Sequence, residues 1–247
     1  MSVEVGSDRV EQARAVMLEL FPRGFEEVER GGSTELVAYT DAGGEERLWH
    51  AFGGAAASDV EAGWEDRWRD FHRPVRVGPL WVGPPWEVAP DGATAVVIDP
   101  GRAFGTGSHA TTRLCVELLL GLERGSLLDV GCGSGVLAIA GAKLGFAPVV
   151  ALDVEEAAVD ATVANAAANG VAVIATRVDA IAGDLPAADV ATANIALGAV
   201  DAIAPRLRAD RLVTSGYLAG ESPSVAGFRH LDRRTAAGWA ADLFARG

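Results

Sequence analysis

Residues Leu127 to Gly135 read Leu-Leu-Asp-Val-Gly-Cys-Gly-Ser-Gly, an apolar strand run that breaks into a glycine turn and then a helix. Gly131, Gly133 and Gly135 let the backbone approach a ligand with no Cβ in the way, and the helix expected from Val136 offers unpaired amide N–H groups. The spacing is Gly-x-Gly-x-Gly with Asp129 two positions ahead of it, whereas the dinucleotide fingerprint is Gly-x-Gly-x-x-Gly. That difference favours S-adenosyl-L-methionine as the cofactor, with Asp129 and the three glycines as candidate binding residues.

Three further positions follow from strand order. In an open α/β sheet the acidic residue ending the second strand reaches a ribose, and Asp153 ends Val149-Val-Ala-Leu-Asp153. An N-cap for the next helix is its ordinary alternative use. Asp179 closes the third strand as a candidate for the adenine end, or as a simple turn residue. Asn194 ends the fourth, where its side-chain carbonyl can accept a hydrogen bond from an amine nucleophile or from the methionine part of the cofactor; a strand-end turn is the alternative.

The segment Asp99-Pro-Gly-Arg-Ala-Phe-Gly-Thr-Gly-Ser-His-Ala-Thr-Thr112 gathers Thr106, Ser108, His109, Thr111 and Thr112 in a glycine-rich stretch ahead of a helix. Such a stretch can close over a ligand, making Phe104, Gly105, Thr106 and Thr112 candidate cofactor contacts and His109 a candidate catalytic group; a plain linker is the alternative. No histidine stands at metal-ligand spacing to another, so no metal is expected, and His50, His72 and His230 read as surface or packing residues.

These residues need a scaffold. Asp8 to Leu20 has helical apolar spacing with Ser7 or Asp8 as N-cap, and Phe25 to Glu29 and Glu35 to Tyr39 read as strands joined at Gly31-Gly32. Residues 1–55 therefore form a small α+β module. Ser58 to Phe71, with Trp64 and Trp68, reads as a connecting helix within a 56–74 linker. From 75 to 247 strands and helices alternate: Val96 to Ile98, Leu114 to Leu122, Leu127 to Val130, Val136 to Leu144, Val149 to Leu152, Glu155 to Asn169, Val171 to Val178, Val190 to Asn194, Val200 to Leu207, and Leu212 to Ser215. The series implies an α/β fold with a mostly parallel sheet covered on both faces.

The chain has 247 residues, 49% of them hydrophobic, enough for one large α/β domain with an appendage. Its net charge of −13 argues against non-specific nucleic-acid binding. Residues 1–70 carry 16 acidic and 7 basic side chains, a segment able to steer a basic protein substrate or simply a solvated face. No apolar run suits a bilayer and the N-terminus lacks the features of a signal peptide, so a cytoplasmic protein with no membrane partner is expected. Cys115 and Cys132 read as buried thiols.

The run Trp64 to Trp86, the segment Asp99 to Thr112, the turn Asp129 to Gly135, Ala193-Asn194-Ile195 and Leu212 to Ala219 together resemble the PrmA family, methyltransferases of ribosomal large-subunit protein L11. The resemblance covers residues 64 to about 220, and its segment from Asp99 to Thr112 is the family-specific part. It implies a Rossmann-like, seven-stranded class I methyltransferase domain behind an N-terminal substrate-recognition module, with cofactor contacts on Thr112, Gly131, Asp153 and Asn194. The implied reaction is methyl transfer to lysine or N-terminal amines of the ribosomal protein, by a monomer without direct nucleic-acid contact. Two departures stand out: the N-terminal module is shorter than the family's, and Ala196-Leu197-Gly198 follows Ile195 where the family continues Leu-Ala. A lysine amine, with a pKa near 10.4, is neutral in only about one molecule in a thousand at pH 7. The Asn194 oxygen is therefore expected to orient the amine, with His109 or Asn194 receiving its proton. A methyltransferase of another protein or a small molecule, and a non-catalytic cofactor-binding module, remain the competing readings.

Overall fold

The computed structural model describes residues 2–6, 9–21, 26–30, 32–38, 47–48, 51–52, 73–99 and 107–247. The expected linker helix, with Trp64 and Trp68, and the residues Phe104, Gly105 and Thr106 lie outside this set. The chain divides into two compact units, Met1–Trp68 and Arg69–Gly247.

In the first unit, β1 (Ser2–Gly6) precedes α1 (Val10–Leu20), and β2 (Glu26–Arg30) and β3 (Ser33–Val37) form a hairpin. The antiparallel sheet runs β1-β3-β2. Val3, Val5, Ala13, Met17, Phe21 and Leu36 make its core, β1 contributing through strict two-residue alternation. The sequence reading contained no strand before the helix, and the helix starts after Arg9 with no side-chain cap rather than at Ser7 or Asp8.

The second unit opens with β4 (Val75–Val77), β5 (Leu80–Gly83) and β6 (Thr94–Val97), a three-stranded sheet. Then come α2 (Ala110–Leu120), β7 (Leu127–Val130), α3 (Val136–Leu144), β8 (Val149–Asp153), α4 (Glu156–Ala168), β9 (Ile174–Arg177) and β10 (Ala188–Asn194). The chain closes with α5 (Leu197–Ile203), a 3₁₀ turn at Ala204–Arg206, β11 (Ala209–Leu218), β12 (Phe228–Ala236) and β13 (Trp239–Arg246). The main sheet is ordered β12-β13-β11-β10-β7-β8-β9. Strands β9, β8, β7, β10 and β11 are parallel, and β13 runs antiparallel to both its neighbours.

Leu127 and Leu128, adjacent in β7 and each 1% exposed, face opposite sides of the sheet and anchor the two cores. One face packs Leu114, Leu119, Leu137 and Ile139; the other packs Leu152, Ile203, Leu207, Leu212 and Phe244. The direction of strand order reverses between β7 and β10, which puts the ligand crevice at their carboxyl ends.

Several boundaries differ from the sequence reading. Helix α2 begins at Ala110, four residues before the expected Leu114, because His109 caps it and the two threonines that read as loop are buried in its first turn. Strand β9 is shorter than Val171 to Val178, and β11 extends on both sides of Leu212 to Ser215.

Candidate active site

The glycine turn joins β7 to α3 with three left-handed residues, Gly131 (φ 72°), Gly133 (φ 54°) and Gly135 (φ 81°). Gly131 and Cys132 donate their N–H groups to the Leu152 carbonyl at 2.8 and 3.0 Å, and the Gly133 N–H reaches an oxygen of Asp153 at 2.9 Å. At Gly135 a Cβ would fall 2.8 Å from the Thr162 side chain, so this glycine lets α4 close onto the turn.

Asp129 does not face the crevice. It is 1% exposed, one oxygen accepting from the Ala138 N–H of α3 at 3.1 Å and the other from the Thr192 hydroxyl at 2.7 Å. In this arrangement the carboxylate ties the start of α3 to β7 and β10. Burial pushes its pKa up to about 6, against the pull of those two hydrogen bonds. A raised carboxyl pKa favours folding below the unfolded value near 3.8, and that contribution is lost as pH rises through 6.

Asp153 is half-buried at the end of β8, its two oxygens accepting from Gly133 N–H and from Glu155 N–H at 3.0 Å. Each oxygen takes one bond here, which leaves lone pairs for a further donor such as a sugar hydroxyl. The N-cap of the next helix is Glu155 rather than Asp153, whose carboxylate instead accepts from the Glu155 N–H ahead of it. Asp179 is exposed beyond β9, and its Oδ1 accepts from the Ile181 N–H at 2.9 Å, closing a turn; it stands two strands away from β7.

Asn194 is the last residue of β10, paired in register with Ser215 of β11. It is partly exposed, and its amide makes no hydrogen bond with any described residue. Ile195, next in the chain, lies between two glycines: a Cβ on Gly131 would fall 2.3 Å from its Cγ2, and one on Gly216 2.2 Å from its carbonyl oxygen.

His109 is the N-cap of α2. Its Nδ1 accepts from the Thr111 N–H at 3.4 Å and lies 2.8 Å from the Thr111 hydroxyl, and its ring meets Trp239 edge-on with centroids 4.9 Å apart. Burial and the nearby Arg113 charge lower its pKa, so the ring is neutral at pH 7. With Nδ1 accepting, the proton sits on Nε2. The expectation that His109 takes the amine's proton therefore meets a competing use of its basic nitrogen. Replacing His109 by alanine should cost about 0.5–1 kcal/mol, the low end of N-cap losses for so long a contact. Because the native pKa is lowered, this contribution is present above the unfolded value of 6.5 and fades as pH falls below it. Urea unfolding of wild type and His109→Ala should thus differ more at pH 7.5 than at pH 5.5.

Thr112 sits in the same turn, 2% exposed, and the buried Nε of neighbouring Arg113 has no hydrogen-bond partner among the described residues. An orphaned guanidinium donor near a helix N-terminus is matched to a carboxylate. Burial pushes the Cys132 thiol up to about 12 and the Cys115 thiol higher still, so both remain protonated and inert. Among the described residues no three His, Cys, Asp or Glu side chains are gathered as a metal cage, and no helix is long and apolar enough to cross a membrane.

Sequence reasoning missed Trp239, the Arg113 orphan, and a row of buried polar residues on α4. Thr162, Asn165 and Asn169 are spaced three and four apart in an otherwise alanine-rich helix, a polar stripe that was the available signal.

Seven strands in this order with one reversed, a glycine turn after the first, and a carboxylate ending the second define a class I methyltransferase domain, the class whose methyl donor is S-adenosylmethionine. A model of the family described as ribosomal protein L11 methyltransferase (PrmA) matches residues 34–240. The L11 methyltransferase of Pasteurella multocida is 43% identical over 175 residues, covering 66% of this chain and 59% of that protein. That of Azotobacter vinelandii is 43% identical over 173 residues, with the same coverage of 66% and 59%. The crystal structure of the ribosomal protein L11 methylase from Lactobacillus delbrueckii subsp. bulgaricus aligns with a TM-score of 0.64 and 27% identity, over 71% of this chain and 99% of that one. The chain belongs to the PrmA family. It spans about 59% of the length of the curated relatives it matches.

Proposed function

We propose that this chain is an S-adenosylmethionine-dependent N-methyltransferase acting on lysine or N-terminal amines of ribosomal protein L11. The observation that carries the reading is the convergence of the glycine turn, Asp153 and an unpaired Asn194 amide at the reversal point of a PrmA-family sheet. The residues present suit the cofactor: Asp153 to accept from the ribose hydroxyls, Gly131 for close backbone approach, and Arg113 with the start of α2 and Thr112 for the carboxylate. The bound cofactor supplies an electrophilic methyl group on a sulfonium whose leaving group departs neutral.

What remains for the protein is positioning and exclusion of water. The Asn194 Oδ1 accepts a hydrogen bond from the incoming amine and aims its lone pair. The Trp239 and His109 rings offer the amine's alkyl stem an apolar wall. Asp129 is sealed behind Ala138 and Thr192, so it offers no countercharge in the crevice, and desolvation of an unpaired ammonium favours the neutral amine. The acidic balance of residues 1–70 suits a basic substrate, and a ribosomal substrate places the reaction in the cytoplasm.

The test has two stages. Calorimetry should detect binding of S-adenosylhomocysteine, and tritiated methyl transfer should then label purified L11. Absence of cofactor-product binding, or label appearing on a different lysate protein while purified L11 stays unlabelled, would refute the assignment.

A further inference from the structure

Both described flanks of the 100–106 segment are built against the glycine turn. On the upstream side the link is one side chain. Asn165 of α4, 4% exposed, donates from Nδ2 to the Ser134 carbonyl at 2.9 Å, and its Oδ1 accepts from the Asp99 N–H at 3.1 Å. On the downstream side Gly107 (φ 87°) is so placed that a Cβ would fall 2.4 Å from Val82 and 3.4 Å from Val136, the first residue of α3. Asp99 and Gly107 are thereby registered on residues 134–136 of the turn.

Two neighbours, Thr162 within α4 and Asn169 at its C-cap, separate the jobs. Asn169 pairs with Val97 as a strand would, Oδ1 accepting from its N–H at 2.8 Å and Nδ2 donating to its carbonyl at 2.6 Å. It holds β6 to α4 without touching the turn. Thr162 donates to the Gly133 carbonyl at 3.1 Å and holds the turn without touching β6. Only Asn165 among the three links the turn to the chain leaving β6, at Asp99. Losing it would remove the hydrogen bonds to Ser134 and to Asp99 together, one on each side.

We infer that Asn165 is a positioning residue for methyl transfer, its amide registering Asp99 on the cofactor turn at Ser134. The inference rests on the proposed cofactor reading. Asn165 touches no reacting atom; it acts through the turn and through the backbone at Asp99.

The experiment compares full-length wild type, Asn165→Ala, Asn165→Asp and Asn169→Ala by thermal melting, S-adenosylhomocysteine calorimetry and steady-state methylation of L11. Asn165→Asp is nearly isosteric and keeps an acceptor for Asp99 while losing the donor to Ser134, so it reports even if the alanine variant does not fold. Both Asn165 variants should raise the S-adenosylhomocysteine Kd about tenfold, with kcat about tenfold lower in Asn165→Ala. Asn169→Ala should melt earlier yet keep Kd and kcat within about twofold. If all folded variants bind and turn over like wild type, Asn165 is merely structural and the inference fails while the proposed function stands. If the Asn169 variant loses Kd and kcat as much as the Asn165 variants, the specific registration is refuted. If wild type itself binds no S-adenosylhomocysteine, both fall together.

Discussion

Asn194→Ala is expected to lower kcat on L11 by about 10²–10³-fold while leaving the fold and the cofactor affinity almost unchanged. The separation is possible because of where the residue stands. Its backbone is fixed by the β10 ladder, opposite Ser215 on one side and one residue beyond the Ala193–Val130 pair on the other. Its amide has no partner among the described residues, so truncation leaves no buried group unsatisfied and creates no core cavity. Loss of the side chain thus removes little except the acceptor proposed to aim the amine. A melting temperature within about 2 °C of wild type and an S-adenosylhomocysteine Kd within about threefold should accompany the drop in kcat. Asn194→Asp sharpens the argument through pH. A carboxylate at the same place stabilises the ammonium form and raises the amine's pKa, so the rise of kcat/KM with pH should move to higher pH, with partial activity regained in alkaline buffer. A kcat within threefold of wild type for Asn194→Ala would remove Asn194 from the amine site altogether.

The parts of this architecture that could be read from sequence are those whose cause is local. Gly131, Gly133 and Gly135 advertise the turn because left-handed backbone favours glycine, and the glycines on either side bound α3 at Val136 and Leu144. Asp153 and Asn194 stood out because an apolar strand has no other reason to end in a polar group. What escaped has non-local causes. Asn165 and Asn169 reach residues 66 and 72 positions upstream, a distance that no periodicity encodes. Asp129 is ionisable in type yet buried, and only its hydrogen bonds to Thr192 and Ala138 show that it braces α3. The β12-β13 hairpin hid for two reasons. Strand β12 is an edge strand whose Arg229, Asp232, Arg233 and Arg234 obscure the alternation. Its turn uses Ala237 (φ 48°) and Gly238 (φ 79°) where Asn-Gly would have been the clear signal. Trp239 went unnoticed with the hairpin that carries it to His109.

The brace behind Asn194 leads to the second large effect: Gly216→Ala should destabilise the protein by about 3–4 kcal/mol, a drop of roughly 10 °C in melting temperature. Gly216 sits at the β11 bulge with φ 102°, a conformation that costs an alanine about 1–2 kcal/mol. Added to this is contact that has nowhere to go. The new Cβ would lie 2.2 Å from the oxygen, 2.7 Å from the carbon and 2.9 Å from the nitrogen of Ile195, all backbone atoms. Side-chain rotation cannot relieve that, and Ile195 cannot retreat toward β7, where its Cγ2 already fills the space beside Gly131. Relief must come from moving the Asn194-Ile195 backbone itself. Activity should therefore fall further than the folded fraction does, because the displaced strand end carries the amide proposed to orient the amine and lies against Gly131 of the turn. Gly198→Ala provides the contrast. That position lies in α5 with nothing within 4 Å of a new Cβ and no left-handed φ, so the substitution should be neutral or stabilise by up to about 1 kcal/mol. Should Gly216→Ala melt and turn over like Gly198→Ala, the close approach of β11 to Ile195 would not be what holds the strand end in place.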